Sequence, residues 1–204
     1  MSPKPLIVAA TTSELAPSIP FLREHAIPYL VTGAGMLATA YALTKRLRGA
    51  SPPAYILNVG IAGSFTPHLA IGAVTEIVHD TLPELGAESE EGFIPMEQLG
   101  FGNSSWSNIP PSALQTHLPP TKAVTVNTVH GVPSSIESIR QQFPEVQVES
   151  MEGAAVFYVC HSENIPCLQV RSISNYVELR NKSTWNIPLA IHNLNEWLMT
   201  FLAS

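Results

Sequence analysis

Four polar side chains sit close together late in the chain, Glu152, Arg171, Ser174 and Asn175, and a fifth, Glu14, follows the first apolar run. Two carboxylates, a guanidinium, a hydroxyl and an amide form a set suited to holding a small polar ligand, and the surrounding pattern supports that reading. Val148 to Glu178 reads VESMEGAAVFYVCHSENIPCLQVRSISNYVE. Val146 and Val148 form a short alternating run, Met151-Glu152-Gly153 opens an apolar helix through Cys160, and Ile165 to Ile173 is a buried strand. That strand empties into Ser172-Ile173-Ser174-Asn175. Ligands of open parallel sheets sit outside the C-terminal strand ends, so the four side chains can converge on one crevice. Each also has an ordinary explanation. Glu152 can complement a helix dipole, Arg171 can pair with it, and Asn175 can be a turn residue.

The elements that must position these groups can be followed from the start of the chain. Pro5 to Ala10 is a buried strand and Thr11-Thr12-Ser13-Glu14 its polar exit, which places Glu14 in the ligand-bearing layer. The same spacing fits a helix cap, with Glu14 as the capping acid of a short helix interrupted by Pro17 and Pro20. Ile27 to Thr32 is a second strand, leading into Gly33-Ala34-Gly35 and a helix through Leu47. The G-x-G-x-x-A here is a poor dinucleotide fingerprint, because the next strand ends in Asn58 with no acidic residue for a ribose. Close strand–helix packing is the better reading of these glycines. Tyr55 to Val59 is a central strand that turns sharply at Gly60-Ile61-Ala62-Gly63-Ser64. The two glycines there would let backbone N–H groups approach a ligand.

Ala73 to His79 and Lys122 to Thr128 are further strands, and the second should exit into the crevice through Val129 and His130. Thr81 to Pro120 is rich in Pro, Gly, Ser and Asn and long for a connection, so it should form a cover or an interface segment, anchored by Met96, Leu99, Phe101 and Trp106. Ser134 to Phe143 reads as a helix with a capping box, Ser134 with Glu137. The last helix, Asn186 to Leu202, closes the core, and no chemistry is expected from it. Alternating strands and helices give an α/β fold, a single domain over 1–204 built as a three-layer sandwich with a central mixed sheet.

Composition narrows the function classes. With 204 residues, 45% hydrophobic and 13% charged, the chain can bury one sizeable core. A net charge of -6 without a basic stripe argues against a nucleic-acid partner. Cys160 and Cys167 lie in apolar runs and read as reduced core residues, and His79, His117 and His130 are scattered singly, so no metal site is expected. The N-terminus lacks a signal pattern and no apolar run reaches membrane-spanning length, which places the chain in the cytoplasm, away from a membrane.

VESMEGAA at Val148 to Ala155, followed by VRSISN at Val170 to Asn175, resembles a motif pair of the purine nucleoside phosphorylase and nucleosidase superfamily, in its nucleosidase branch. The resemblance extends to Ile139-Arg140-Gln141-Gln142-Phe143-Pro144 and to Asn58 through Ser64, and so covers most of the chain. It implies a nucleoside substrate, no cofactor, and a homo-oligomer, most simply a dimer. It implies that Glu152 holds the ribose hydroxyls, with Met151 packed on the sugar face. Glu14 would activate water with help from Ser64 and Arg171, and Ser174 and Asn175 would bind the base, with Val129 or His130 as a wall. Glu14 departs from the phosphorylases, which carry an arginine in this loop for phosphate.

Members that cleave adenine nucleosides have an aspartic acid where this chain has Asn175. An amide NH₂ donates to a 6-oxo group while its carbonyl accepts from a protonated N7, so hypoxanthine or guanine is favoured over adenine. This pattern, with the tail Arg180 to Pro188, resembles the subfamily that removes hypoxanthine from futalosine in menaquinone biosynthesis. Futalosine carries a benzoate on its 5′ side, for which Arg180, Lys182 and Arg23 are candidate partners. Methylthioadenosine or adenosylhomocysteine cleavage, 6-oxopurine phosphorolysis, and nucleoside binding or storage without catalysis remain as alternatives.

Overall fold

The computed structural model describes residues 4–49, 51–112 and 114–204. The chain opens with β1 (Leu6–Ala9), α1 (Thr12–Leu15), α2 (Ile19–Glu24), β2 (Tyr29–Val31) and α3 (Met36–Arg48). The long strands β3 (Ile56–Ser64) and β4 (Val74–Thr81) follow, then a hairpin of β5 (Gly86–Ser89) and β6 (Gly92–Pro95), a single turn α4 (Met96–Leu99) and β7 (Ser105–Ser107). The second half runs β8 (Pro120–Thr125), α5 (Pro133–Gln142), β9 (Val148–Ser150), α6 (Gly153–Glu163), β10 (Cys167–Tyr176), a 3₁₀ turn at Lys182–Thr184 and α7 (Ile187–Ala203).

Alternation in β1 sets the layers. Leu6 and Val8 point to one side of the sheet, into a core with Leu43 of α3 and Val156, Phe157 and Cys160 of α6. Ile7 and Ala9 point to the other, against Leu15, Leu22, and Leu194 and Leu198 of α7. The sheet order is β10-β4-β8-β9-β3-β1-β2, with β7 beside β4. β10 also pairs in parallel with β3, so the strands from β10 round to β3 close on themselves and β1 and β2 extend outward. The sheet is mixed: β10 runs antiparallel to β4, and β9 antiparallel to β3. Among the described residues no helix is long and apolar enough to cross a membrane.

Several local expectations are corrected. The sharp turn expected at Gly60 to Ser64 is strand, because β10 runs beside it as far as Tyr176 opposite Ser64 and supplies ladder partners for its backbone. Ser174 and Asn175 are correspondingly in β10, at a bulge between Ile173 and Asn175, instead of in a loop after it. Strand β2 is confined to Tyr29–Val31 and β8 runs from Pro120 to Thr125, earlier than expected. The Ser134 and Glu137 capping box does not form. Pro133 at the first helical position starts α5 early, and Val132 is its N-cap without a side-chain bond.

Thr81 to Pro120 carries a hairpin and a helical turn, and Trp106 is buried in the core. None of its described residues lines the cavity described next. It walls a separate groove on the far side of α6, with Met36, Ala155 and Tyr158.

Candidate active site

Strand ends β1, β3, β9 and β10 surround a cavity of ≈ 370 Å³. Its walls include Glu14, Ile61, Gly63, Val129, His130, Met151, Glu152, Ser174 and Asn175. Residues more than 160 positions apart in sequence are thereby brought together, as the convergence of strand exits required.

Glu14 takes both of the roles its sequence position allowed. Its Oε2 accepts from Thr11 N at 2.9 Å and Thr11 Oγ1 at 2.8 Å, while Glu14 N donates back to Thr11 Oγ1 at 3.3 Å, a complete capping box on α1. Its Oε1 accepts from Ile61 N at 3.0 Å, across in β3. The carboxylate is therefore fixed at both oxygens at the cavity wall. Its backbone carbonyl accepts from Asn195 Nδ2 of α7 at 2.9 Å, and Asn195 is itself held by Ser18 Oγ at 2.6 Å.

Gly60 makes room beneath Glu14. A Cβ there would stand 2.8 Å from Glu14 Oε1 and 3.3 Å from Arg171 Nη1, so the strand must be bare at this point. Arg171 is 1% exposed and does not line the cavity; it lies under the carboxylates. Its Nη2 donates to Asn58 Oδ1 at 2.6 Å, and Asn58 Nδ2 donates to Val8 O at 3.1 Å. No direct ion pair joins Arg171 to Glu14 or Glu152 among the described residues. Its effect is a field: burial pulls the guanidinium below its usual range, and Glu152, Glu14 and Asp80 hold it up.

Glu152 is the N-cap residue of α6, and its Oε1 accepts from Gly35 N at 2.8 Å. Burial raises the carboxyl of Glu152, against lowering by that amide and by Arg171, and the nearby Glu14 charge raises it further. The Gly35 backbone, at φ 90 and ψ 158, lies in a region open essentially to glycine alone, while a Cβ there would meet nothing within 4 Å. The Gly33-Ala34-Gly35 turn therefore serves to aim an amide at Glu152, which close packing had not anticipated.

Asn175 and Ser174 form the opposite wall. Asn175 Nδ2 donates to Tyr176 O at 2.9 Å and its Oδ1 accepts from Ser174 Oγ, which orients the amide and leaves one N–H and one Oδ1 lone pair for a ligand. Ser174 Oγ lies 2.8 Å from Asn175 Oδ1 and 3.2 Å from Ala62 O. Met151, Val129 and His130 line the cavity as expected. Ser64 does not. It is fully buried, and its hydroxyl donates to Thr66 O at 2.8 Å, because the continuation of β3 turns it away from the crevice.

Three contributions were not foreseen. The last helix, expected to carry no chemistry, supplies Ile187 and Ile191 to the wall and Asn195 behind Glu14. Asp80, wholly buried, accepts from Thr125 Oγ1 and Gln169 Nε2, each at 2.9 Å, and Thr125 Oγ1 in turn accepts from Ala154 N at 2.9 Å. A Cβ on Gly153 would overlap Asp80 Oδ2 and Gln169 Nε2, so glycine lets the start of α6 rest on this network and sets the position of Glu152. Glu149, the middle residue of β9, accepts from His130 N at 3.0 Å and pairs with His130 Nδ1. Of the basic candidates, Arg180 lines the cavity, its guanidinium 5.2 Å from the Trp185 ring centroid. Arg23 instead meets Tyr29 Oη, and Lys182 is exposed.

Comparison with known proteins agrees with this architecture. A Helicobacter pylori 5′-methylthioadenosine nucleosidase mutant, solved with 5′-methylthioadenosine in its active site, superposes with a TM-score of 0.81 at 17% identity, covering 100% of this chain and 99% of that one. Native futalosine hydrolase of the same organism superposes at 0.77 with 17% identity, covering 98% and 97%. In sequence, futalosine hydrolase of Streptomyces coelicolor is 31% identical over 147 residues, 69% of this chain and 62% of that protein. A 5′-methylthioadenosine/S-adenosylhomocysteine nucleosidase of Tolumonas auensis is 27% identical over 186 residues, 87% of this chain and 80% of that protein. The chain thus spans 62% of the Streptomyces coelicolor futalosine hydrolase and 57% of another, from Acidothermus cellulolyticus. With the family model described as the phosphorylase superfamily matching residues 22–203, the chain belongs to that superfamily.

Proposed function

We propose that the chain is an N-ribosyl hydrolase that cleaves a 6-oxopurine from its nucleoside, with futalosine as substrate and hypoxanthine as product. The observation that carries this reading is the placing of Glu14 and Glu152 in one cavity with the oriented amide of Asn175. Its sequence relatives include both futalosine hydrolases and methylthioadenosine nucleosidases. An amide at Asn175, where the resemblance leads one to expect a carboxyl for adenine, favours the first.

In this reading water attacks the anomeric carbon from the Glu14 side. Its oxygen forms the new C–O bond, Glu14 takes its proton, and the bond to the base nitrogen breaks with its electron pair passing to the purine. Glu152 holds the ribose hydroxyls and offsets the cationic character of the sugar, while Asn175 steadies the purine by accepting from N7–H and donating to the 6-oxo oxygen. Solvent supplies the N7 proton as the bond to the base breaks, and the proton held by Glu14 returns to solvent, so nucleoside and water give the free sugar and the neutral base. Two carboxylates at the sugar would repel a phosphate dianion, so water is the nucleophile despite the superfamily's phosphorylase members. Arg180, which lines the cavity, would meet the carboxylated 5′ substituent in this reading. The exposed groove beside Phe101 and Tyr158 fits a homodimer.

The test is incubation with futalosine in phosphate-free H₂¹⁸O. Free hypoxanthine and label in the anomeric hydroxyl of the sugar product support the reading. A requirement for phosphate, with formation of a sugar 1-phosphate, overturns it.

A further inference from the structure

Strand register places Asn175 and Glu149 on one row of the sheet. Both partner Gly63 of β3, Asn175 from the β10 side and Glu149 from the β9 side. Two strand spacings separate them, about 10 Å between Cα atoms. In-register side chains share a face, and both residues line the cavity with Gly63 as a bare floor between them. A Cβ on Gly63 would stand 3.2 Å from Asn175 Nδ2, so glycine keeps this floor open. The result is a slot wide enough for a planar base, with an amide at one wall and a carboxylate at the other.

The carboxylate wall is built. Glu149 is 4% exposed, its Oε1 accepts from His130 N at 3.0 Å, and its Oε2 faces His130 Nδ1. Each oxygen keeps lone-pair capacity beyond these bonds.

We infer that Glu149, held by His130, is a specificity-determining residue that accepts a hydrogen bond from the N1–H edge of a 6-oxopurine whose other edge is read by Asn175. The inference rests on the reaction proposed above. A 6-oxopurine carries a hydrogen on N1, whereas a 6-aminopurine presents a lone pair there, which would face the carboxylate lone pairs. Glu149 and Asn175 thus discriminate in the same direction from opposite walls. Guanine, which adds a 2-amino donor beside N1–H, should also be accepted.

The experiment uses base binding, which is independent of turnover. Calorimetry of the full chain should show hypoxanthine bound at least about tenfold more tightly than adenine and than 1-methylhypoxanthine, which lacks N1–H. In Glu149→Gln the hypoxanthine-to-adenine ratio should fall by about tenfold or more, because an amide can donate to N1 of adenine. Equal binding of hypoxanthine and 1-methylhypoxanthine by the unaltered protein would overturn the inference, even if the variant fails to fold. So would a variant that loses affinity for both bases in proportion, the signature of a mere clamp on the 129–131 loop. If purine bases bind with this pattern but futalosine is not cleaved, the proposed reaction fails while the role of Glu149 stands.

Discussion

Glu152 and Gly35, far apart in sequence, are joined by a 2.8 Å hydrogen bond from the glycine amide to the carboxylate. The bond ties the turn before α3 to the N-terminus of α6 and holds the carboxylate against the cavity. Gly35→Ala should cost roughly 1–3 kcal/mol of stability, since its backbone conformation is strained for any residue with a Cβ. Turnover should fall beyond what the remaining folded fraction explains, because the amide moves with the turn. Denaturant unfolding read beside kcat/KM checks both parts, and unchanged stability would contradict the first.

Glu152→Gln and Glu14→Gln should each leave a folded protein but lower kcat by orders of magnitude, because each removes a charge used mainly in the transition state. Glu14→Gln should also lose about 1 kcal/mol of stability, since Glu14 completes the cap of α1. Near-normal turnover in either variant would remove that residue from its assigned role.

Asp80 predicts a pH dependence of stability. Burial raises its carboxyl to about 6 from an ordinary 3.8, with hydrogen bonds from Gln169 and Thr125 opposing. The folded state therefore binds this proton more tightly than the unfolded chain. Its stabilising contribution is complete below the unfolded value of 3.8 and is lost as pH rises to about 6. A gap of about two pH units corresponds to roughly 3 kcal/mol. Asp80→Asn should remove that term, so its stability relative to the unaltered protein should improve steadily between about pH 4 and pH 6. A constant difference across that window, measured by urea unfolding, would contradict the assignment. Gln169 Oε1, buried without a partner, can accept from the new amide if the Gln169 side chain turns over.

These expectations also show which parts of the site could be read in the sequence. Glu14, Ser174 and Asn175 were accessible because they follow or end apolar strand runs, and Glu152 because it opens an apolar helix; strand exits gather on one edge whatever the loops do. Asp80 was hidden, since it sits at the end of β4 and only the arrival of α6 over it, allowed by Gly153, explains a buried carboxyl. Glu149 left a fainter signal, a charge beside Val148 in a strand whose two faces are both covered. Ser64 was misplaced because a glycine-rich run reads as a turn until a neighbouring strand supplies its hydrogen bonds. The part played by α7 was missed for a similar reason. Periodicity reveals its buried face, but that face meets both the core and the cavity.

Asn175→Asp should reverse the match at the 6-position by placing an acceptor opposite the 6-oxo oxygen. The loss is about 1–3 kcal/mol, or roughly tenfold to a hundredfold in discrimination. The ratio of kcat/KM for the 6-oxo and 6-amino forms of one nucleoside should fall by that factor. A ratio that stayed put would mean that Asn175 does not read the 6-position.

The most direct measurement is a comparison of kcat/KM for futalosine and 5′-methylthioadenosine with the same preparation in phosphate-free buffer, following free hypoxanthine and free adenine. The account predicts release of hypoxanthine from futalosine at least about a hundredfold more efficiently than adenine from methylthioadenosine, given two walls that select against a 6-amino group. Adenine released as efficiently as hypoxanthine, or more so, would contradict it.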